Sequence, residues 1–158
     1  MSAKPIPDTY PAVTALLTVR GADKAIAFYR DVFGARERLR IAMPDGSVGH
    51  AELEIGRDGL VMLAEESPKW NALSPAAFGG SPVSVMIYVE DADATVARAV
   101  EAGARLEMPV ETQFYGDRSG KITDPFGHTW HVATHVEDMS LAEMQRRCDA
   151  LFADTHTT

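Results

Sequence analysis

VRGADKAIAFYRDVFGAR (19–36) and VEDADATVARAVEAGAR (89–105) are one passage written twice. Val19, Ala22, Asp23, Ile26 and Ala27 meet Val89, Ala92, Asp93, Val96 and Ala97 at a constant offset of 70. Gly34-Ala35-Arg36 then meets Gly103-Ala104-Arg105 at 69, after a one-residue slip. Such a repeat fixes the architecture before any single element is assigned, because each copy must be one supersecondary unit.

Each copy opens on an alternating, β-rich run, VTALLTVR (13–20) or PVSVMIYVE (82–90), which predicts a strand. A helix follows, with Asp23 or Asp91 and Asp93 near its positive N-terminus. Its apolar residues recur at helical spacing: Ile26, Tyr29 and Phe33, then Ala92, Val96 and Ala99. Gly34 and Gly103 stand where a left-handed residue closes a helix. Three more strands are predicted in each copy, about 35–43, 47–56 and 60–66, then about 104–113, 117–124 and 128–135, separated by Asp-Gly and Asp-Pro-Phe-Gly turns. The pattern is βαβββ twice, an α+β fold of two tandem modules with helices on one face of the sheets.

The expected layout is an arm at 1–11, modules at 12–66 and 83–138, a linker at 67–82, a helix at 139–153 and a frayed tail at 154–158. Trp70 and Phe78 are expected to anchor the linker, whose bland reading is a packed crossover and whose sharper one is a lid or dimer contact. Ser140-Leu141-Ala142-Glu143 is a capping box, and Leu141, Met144, Cys148 and Leu151 share a face expected to dock on the core or on a partner chain.

A formal net charge of −8, with no basic stripe, argues against a nucleic-acid partner. No apolar run is long enough to span a bilayer. The segment MSAKPIPDTYPAV lacks the apolar centre of a signal peptide, so a cytoplasmic protein without a membrane partner is expected. A lone cysteine, Cys148, excludes an internal disulfide and reads as a reduced core thiol.

Paired βαβββ units together with HAELEIG (50–56), YGDRSG (115–120) and DPFGHTWHVATHVED (124–138) resemble the vicinal oxygen chelate superfamily of glyoxalase I, bleomycin-resistance proteins and extradiol dioxygenases, and within it the PhnB-like branch. The resemblance implies a cup-shaped sheet, a homodimer, and four metal-ligand places on the first and last strands of each module. Matched strand to strand, these fall on Thr14, Leu63, Ser84 and His131. Only His131 is a good ligand of the set, so no metal cofactor is expected. The alternative is one divalent ion, Zn, Ni, Mn or Fe, held by His50, Glu52 and His131.

Alternation along the strands assigns faces. Val13, Ala15, Leu17 and Val19, and likewise Val83, Val85, Ile87 and Val89, should pack on the helices. Thr14, Leu16, Ser84, Met86 and Tyr88 should face the cup, as should His50 and Glu52. Tyr115 is a candidate for ligand stacking and Arg118, on the opposite side, for a ligand carboxylate or phosphonate; the alternative for Arg118 is a structural Asp–Arg pair. On a strand His128, His131 and His135 cannot share one ion, and Trp130 falls on the core side with His128. The first functional expectation is a small-molecule-binding protein holding an organic ligand in its cup. The alternative is a lyase, isomerase or dioxygenase using His131, Glu52 and His50 as acid and base or as an improvised metal centre. A third is a structural or regulatory dimer with no ligand.

Overall fold

The computed structural model describes residues 3–153; the tail expected at 154–158 lies outside them. Eight strands and three α-helices follow the order read from the repeat. β1 (Ala15–Val19), α1 (Ala22–Phe33), β2 (Arg36–Ala42), β3 (Val48–Ile55) and β4 (Gly59–Glu65) form the first module. β5 (Ser84–Tyr88), α2 (Ala92–Glu101), β6 (Arg105–Thr112), β7 (Asp117–Thr123) and β8 (Thr129–His135) form the second, and α3 (Leu141–Phe152) follows. The sheets are ordered β1-β4-β3-β2 and β5-β8-β7-β6, with the first pair of each parallel and the rest antiparallel.

The helix starts are built alike in both modules, using the last strand as well as the local sequence. Glu65, ending β4, accepts from the backbone N–H of Gly21 (2.8 Å) and Ala22 (2.7 Å), placing a carboxylate on the N-terminus of α1. In the second copy Thr134 Oγ1 accepts from Ala92 N (2.9 Å), while Asp91 caps Ala94 N (2.9 Å). Gly34, in the left-handed region at φ 67°, closes α1 by donating to Arg30 O and Tyr29 O.

The helix-bearing faces of both sheets share one core. Leu17, Val19, Leu53, Leu63 and Val61 join Ile26, Tyr29 and Val32 of α1, and Ile87, Val96, Ile122, Trp130 and Val132 continue it into the second module. α1 also reaches across the module boundary: Phe33 and Tyr29 lie 4.7 and 5.3 Å, centroid to centroid, from Trp130, and Phe28 meets Phe126.

Several sequence expectations fail. Val13 and Val83 precede their strands and are exposed rather than packed. Trp70 and Phe78 do not anchor the linker, which forms two short 3-10 turns held instead by buried Ser74 and Pro75. The Ser74 N–H donates to Glu66 (2.6 Å). α3 is capped by Ser140 as expected, accepting from Glu143 N at 3.2 Å, yet it buries no residue on the core. Cys148 is accordingly half-buried. α3 is held by Arg147, which forms a two-pronged ion pair with Glu137 (2.7 and 2.8 Å).

Candidate functional site

The faces of the sheets opposite the helices carry the candidate residues, and cross-strand register decides which of them meet. In the first module Leu16 is level with Met62, Met62 with Glu52, and Glu52 with Leu39. Leu63 is instead level with Leu17 and fully buried against the helix, so its assignment to the cup is corrected. The reason lies in the turns. Ile55 and Gly59 pair directly and enclose three residues, whereas Thr123 and Thr129 enclose five. Counting four residues from Gly59 and from Gly127 therefore lands on opposite faces, since a one-residue slip inverts a strand. Met62, not Leu63, corresponds to His131.

The four metal-ligand places thus carry Thr14, Met62, Ser84 and His131. Thr14, just before β1, buries its hydroxyl without a hydrogen-bond partner. Two neutral hydroxyls, a thioether and one imidazole do not match the ligand preferences of the transition metals that such sites hold, so the residues present do not fit that ion. The second set fares no better within one chain. Among the described residues no three His, Cys, Asp or Glu side chains come together as a metal-holding group, so His50, Glu52 and His131 are not assembled.

Glu52 is buried, at 3% exposure, because Tyr10 and Arg38, which strand alternation does not place there, join His50 around it. Tyr10 of the N-terminal arm donates its hydroxyl to Glu52 Oε1 (3.0 Å), Arg38 Nε donates to Oε2 (2.7 Å), and His50 Nε2 lies 3.2 Å from Oε1. The Arg38 guanidinium also sits 4.4 Å from the Tyr10 ring centroid. Burial pushes the Glu52 carboxyl up, but the hydrogen bonds from Arg38, His50 and Tyr10 outweigh it and hold it below its ordinary value. An engaged carboxylate of low basicity is a poor proton acceptor at neutral pH. Glu52 is a tether for the arm.

The second module presents a different set. Asp117, 4% exposed, accepts from the Tyr88 hydroxyl (2.7 Å) and pairs with His135 Nδ1 (2.7 Å), whose Nε2 lies 2.9 Å from Asp138. Tyr115 lies over the same region, its hydroxyl 3.4 Å from Ser119 Oγ. A groove of about 790 Å³ between the modules reaches this network, with Val32, Ile55, Tyr88, Arg98 and His135 among its walls. His135 read as a strand-end residue in the sequence; the partner that gives it a role comes from β7, two strands away from Tyr88. Arg118 points to the helix side and is bound by Asp93 of α2 through both guanidinium prongs (2.6 and 2.7 Å), which is the structural Asp–Arg pair expected as its alternative. His128, on that same side, reaches Thr18 O at 2.9 Å.

Both His135 ring nitrogens face carboxylate oxygens, which suits the imidazolium, the form with two donors. Hydrogen bonds to Asp117 and then Asp138 raise its pKa above the ordinary 6.5. The folded chain therefore binds this proton more tightly than the unfolded chain. The resulting stability is fully present below pH 6.5 and lost as pH rises through the folded-state value. The melting temperature should fall from pH 6 to pH 8.5, and His135→Gln should flatten that part of the profile. Parallel profiles for the two proteins would refute the assignment.

These sheets, with the cup faces open, define a protein of the vicinal oxygen chelate class. The family profile of the Glyoxalase/Bleomycin resistance protein/Dioxygenase superfamily matches residues 12–132, and the chain belongs to that superfamily. It is 38% identical over 138 residues to the uncharacterized protein Rv0887c of Mycobacterium tuberculosis, covering 85% of this chain and 81% of that one. The solved structure of the Arabidopsis thaliana gene product At5g48480 is similar at 31% identity with a TM-score of 0.61, covering 78% of this chain and 98% of that one. TioX from Micromonospora sp. ML1 is similar at 28% identity and a TM-score of 0.60, covering 80% of this chain and all of that one. Among the described residues no helix is long and apolar enough to cross a membrane.

Proposed function

We propose that the chain is a small-molecule-binding protein of the glyoxalase/bleomycin-resistance type, in the PhnB-like branch, that acts in the cytoplasm as a homodimer without a resident metal. The observation that carries this reading is the state of the cup faces. Leu16 (62%) on the first sheet, and Met86 (47%) and Tyr88 (58%) on the second, are solvent-exposed on the faces that the helices leave open, Met86 level with the half-buried His131. Large side chains left exposed on the open faces of both sheets mark surfaces meant to be covered. Pairing the open faces of two chains around an organic ligand would cover them.

Binding to the native state raises its stability in proportion to ligand occupancy. A thermal-shift screen of the full chain over metabolites and antibiotics should therefore yield stabilising compounds, and light scattering should give twice the subunit mass. A screen in which nothing stabilises the fold, together with a monomer mass at micromolar concentration, would refute the reading. The enzymatic alternative rests on His131. It makes no hydrogen bond or ion pair among the described residues, and desolvation followed by the Lys121 ammonium holds its pKa below the ordinary value, leaving a neutral imidazole free to accept a proton. Turnover of a stabilising compound that is lost in His131→Ala would favour this alternative over sequestration.

A further inference from the structure

One row across the second sheet carries side chains that make no hydrogen bond or ion pair among the described residues. Register places Met86 of β5 level with His131 of β8, His131 level with Lys121 of β7, and Lys121 level with Met108 of β6. All four project from the open face, where side chains at level positions stand about 5 Å apart. The row has a cation and an imidazole at its centre and an exposed methionine at each end. In the neighbouring row Tyr88 is level with Ala133 and Ala133 with Ser119, both of them buried, and the Tyr88 and Tyr115 hydroxyls are taken by Asp117 and by Ser119.

Lys121 stands out among the charges. Arg38 is matched by Glu52, Arg40 by Asp23 and Glu37, Arg118 by Asp93, and Arg147 by Glu137 and Glu143. Lys121, half-buried, has no hydrogen bond or ion pair among the described residues. Glu107, the carboxylate on which its field acts, is already held by Arg105 (2.6 Å) and by the Thr123 hydroxyl (2.7 Å). A partly buried ammonium whose nearest carboxylate, Glu107, is held by other groups, beside an imidazole whose ring nitrogens have no hydrogen-bond partner among the described residues, is an arrangement that an anion from outside would complete. A net charge of −8 spread over the molecule weakly suggests a cationic ligand, but field at contact range is set by the few groups that touch the ligand.

Resting on the binding function above, we infer that the ligand is a small organic acid. Its carboxylate sits on Lys121 Nζ and the His131 ring N–H, and its apolar body lies along Met86, Met108 and the tyrosine rings. One cation balances one negative charge, and flexible thioethers adapt to a hydrocarbon or aromatic body.

The test uses matched pairs that differ only in charge: benzoate with benzamide, 3-phenylpropionate with 3-phenylpropanamide, and 4-phenylbutyrate with 4-phenylbutanamide, titrated into the full chain by calorimetry at fixed ionic strength. The carboxylates are expected to bind at least tenfold more tightly than their amides. Lys121→Met should abolish that preference and Lys121→Arg should keep it, and the melting temperature of the free protein should hardly change because the Lys121 side chain has no hydrogen bond or ion pair among the described residues to lose. Amides binding as well as or better than acids would overturn this inference and leave the sequestration reading standing. So would a preference for acids that survives in Lys121→Met. Failure of every probe, while the metabolite screen yields neutral or cationic ligands, would likewise overturn the organic-acid assignment alone. Failure of both the probes and the screen would remove it together with the binding function.

Discussion

Replacing Asp124 with Ala should destabilise the protein by about 3–5 kcal/mol, read from urea unfolding, although this carboxylate faces no ligand. Asp124 is buried, and four donors converge on it. Oδ2 accepts from the Tyr29 hydroxyl (2.6 Å) and Trp130 Nε1 (2.9 Å); Oδ1 accepts from the backbone N–H of Phe126 and of His128, both at 2.9 Å. The first two bonds tie α1 of one module to β8 of the other, and the last two fold the Asp-Pro-Phe-Gly turn. Burial and then the Asp124 charge push the Tyr29 phenol well above its ordinary range, so it remains a donor at any working pH. Removing the acceptor strands two donors in the core, the Tyr29 hydroxyl and Trp130 Nε1, and two part-buried backbone N–H groups in the turn, each losing more than a hydrogen bond between neutral groups would. Asp124→Asn keeps one acceptor oxygen and turns an NH₂ toward the remaining donors, so its loss should be smaller, about 1–3 kcal/mol. Tyr29→Phe combined with Asp124→Ala should cost less than the sum of the two. A loss below about 1 kcal/mol for Asp124→Ala would show that the inter-module tie is not a stability element.

Asp124 also shows why the fold was more legible than the site. The repeat, the alternation of each strand and the turn residues are local signals, and they place every strand and the C-terminal helix to within about two residues. Trp130 was placed on the core side by parity alone. What parity cannot supply is the loop count between strands, and the three-residue turn before β4 against the five-residue turn before β8 moved Leu63 off the cup and brought Met62 onto it. Nor can it supply contacts made across the sheet or from outside it. The faces of Tyr88, Asp117 and His135 could each be read, but their meeting depends on the order β5-β8-β7. Tyr10 carries no periodic signal at all, yet it is the residue that closes over Glu52. Lys121 is illegible in the sequence for a related reason. An unpaired charge is a property of a finished contact list, and a sequence contains no such list.

Gly116→Ala should cost roughly 3–4 kcal/mol and disturb the second module's open face at the same time. Gly116 lies in the turn of YGDRSG at φ 95°, a region that strains any residue with a Cβ. A Cβ built there would stand 2.3 Å from the Glu137 carbonyl oxygen, and that backbone is not free to yield. Gly116 O itself accepts from Val136 N (2.9 Å) and Glu137 N (3.0 Å), pinning the turn to the chain leaving β8. Gly46 is the natural control. Its φ is 85°, but a Cβ there would meet nothing within 4 Å, so Gly46→Ala should show the backbone strain alone, about 1–2 kcal/mol. The difference between the two alanine variants isolates the collision. Asp117 follows Gly116 directly, and any relief of the collision must move the carboxylate that holds both Tyr88 and His135. The His135 imidazole should therefore titrate closer to its ordinary value in Gly116→Ala, followed by its ring proton resonances, and stay raised in Gly46→Ala. Equal losses of stability in the two variants, with an unmoved His135 titration, would mean that the turn can shift freely and that Gly116 does not position the site.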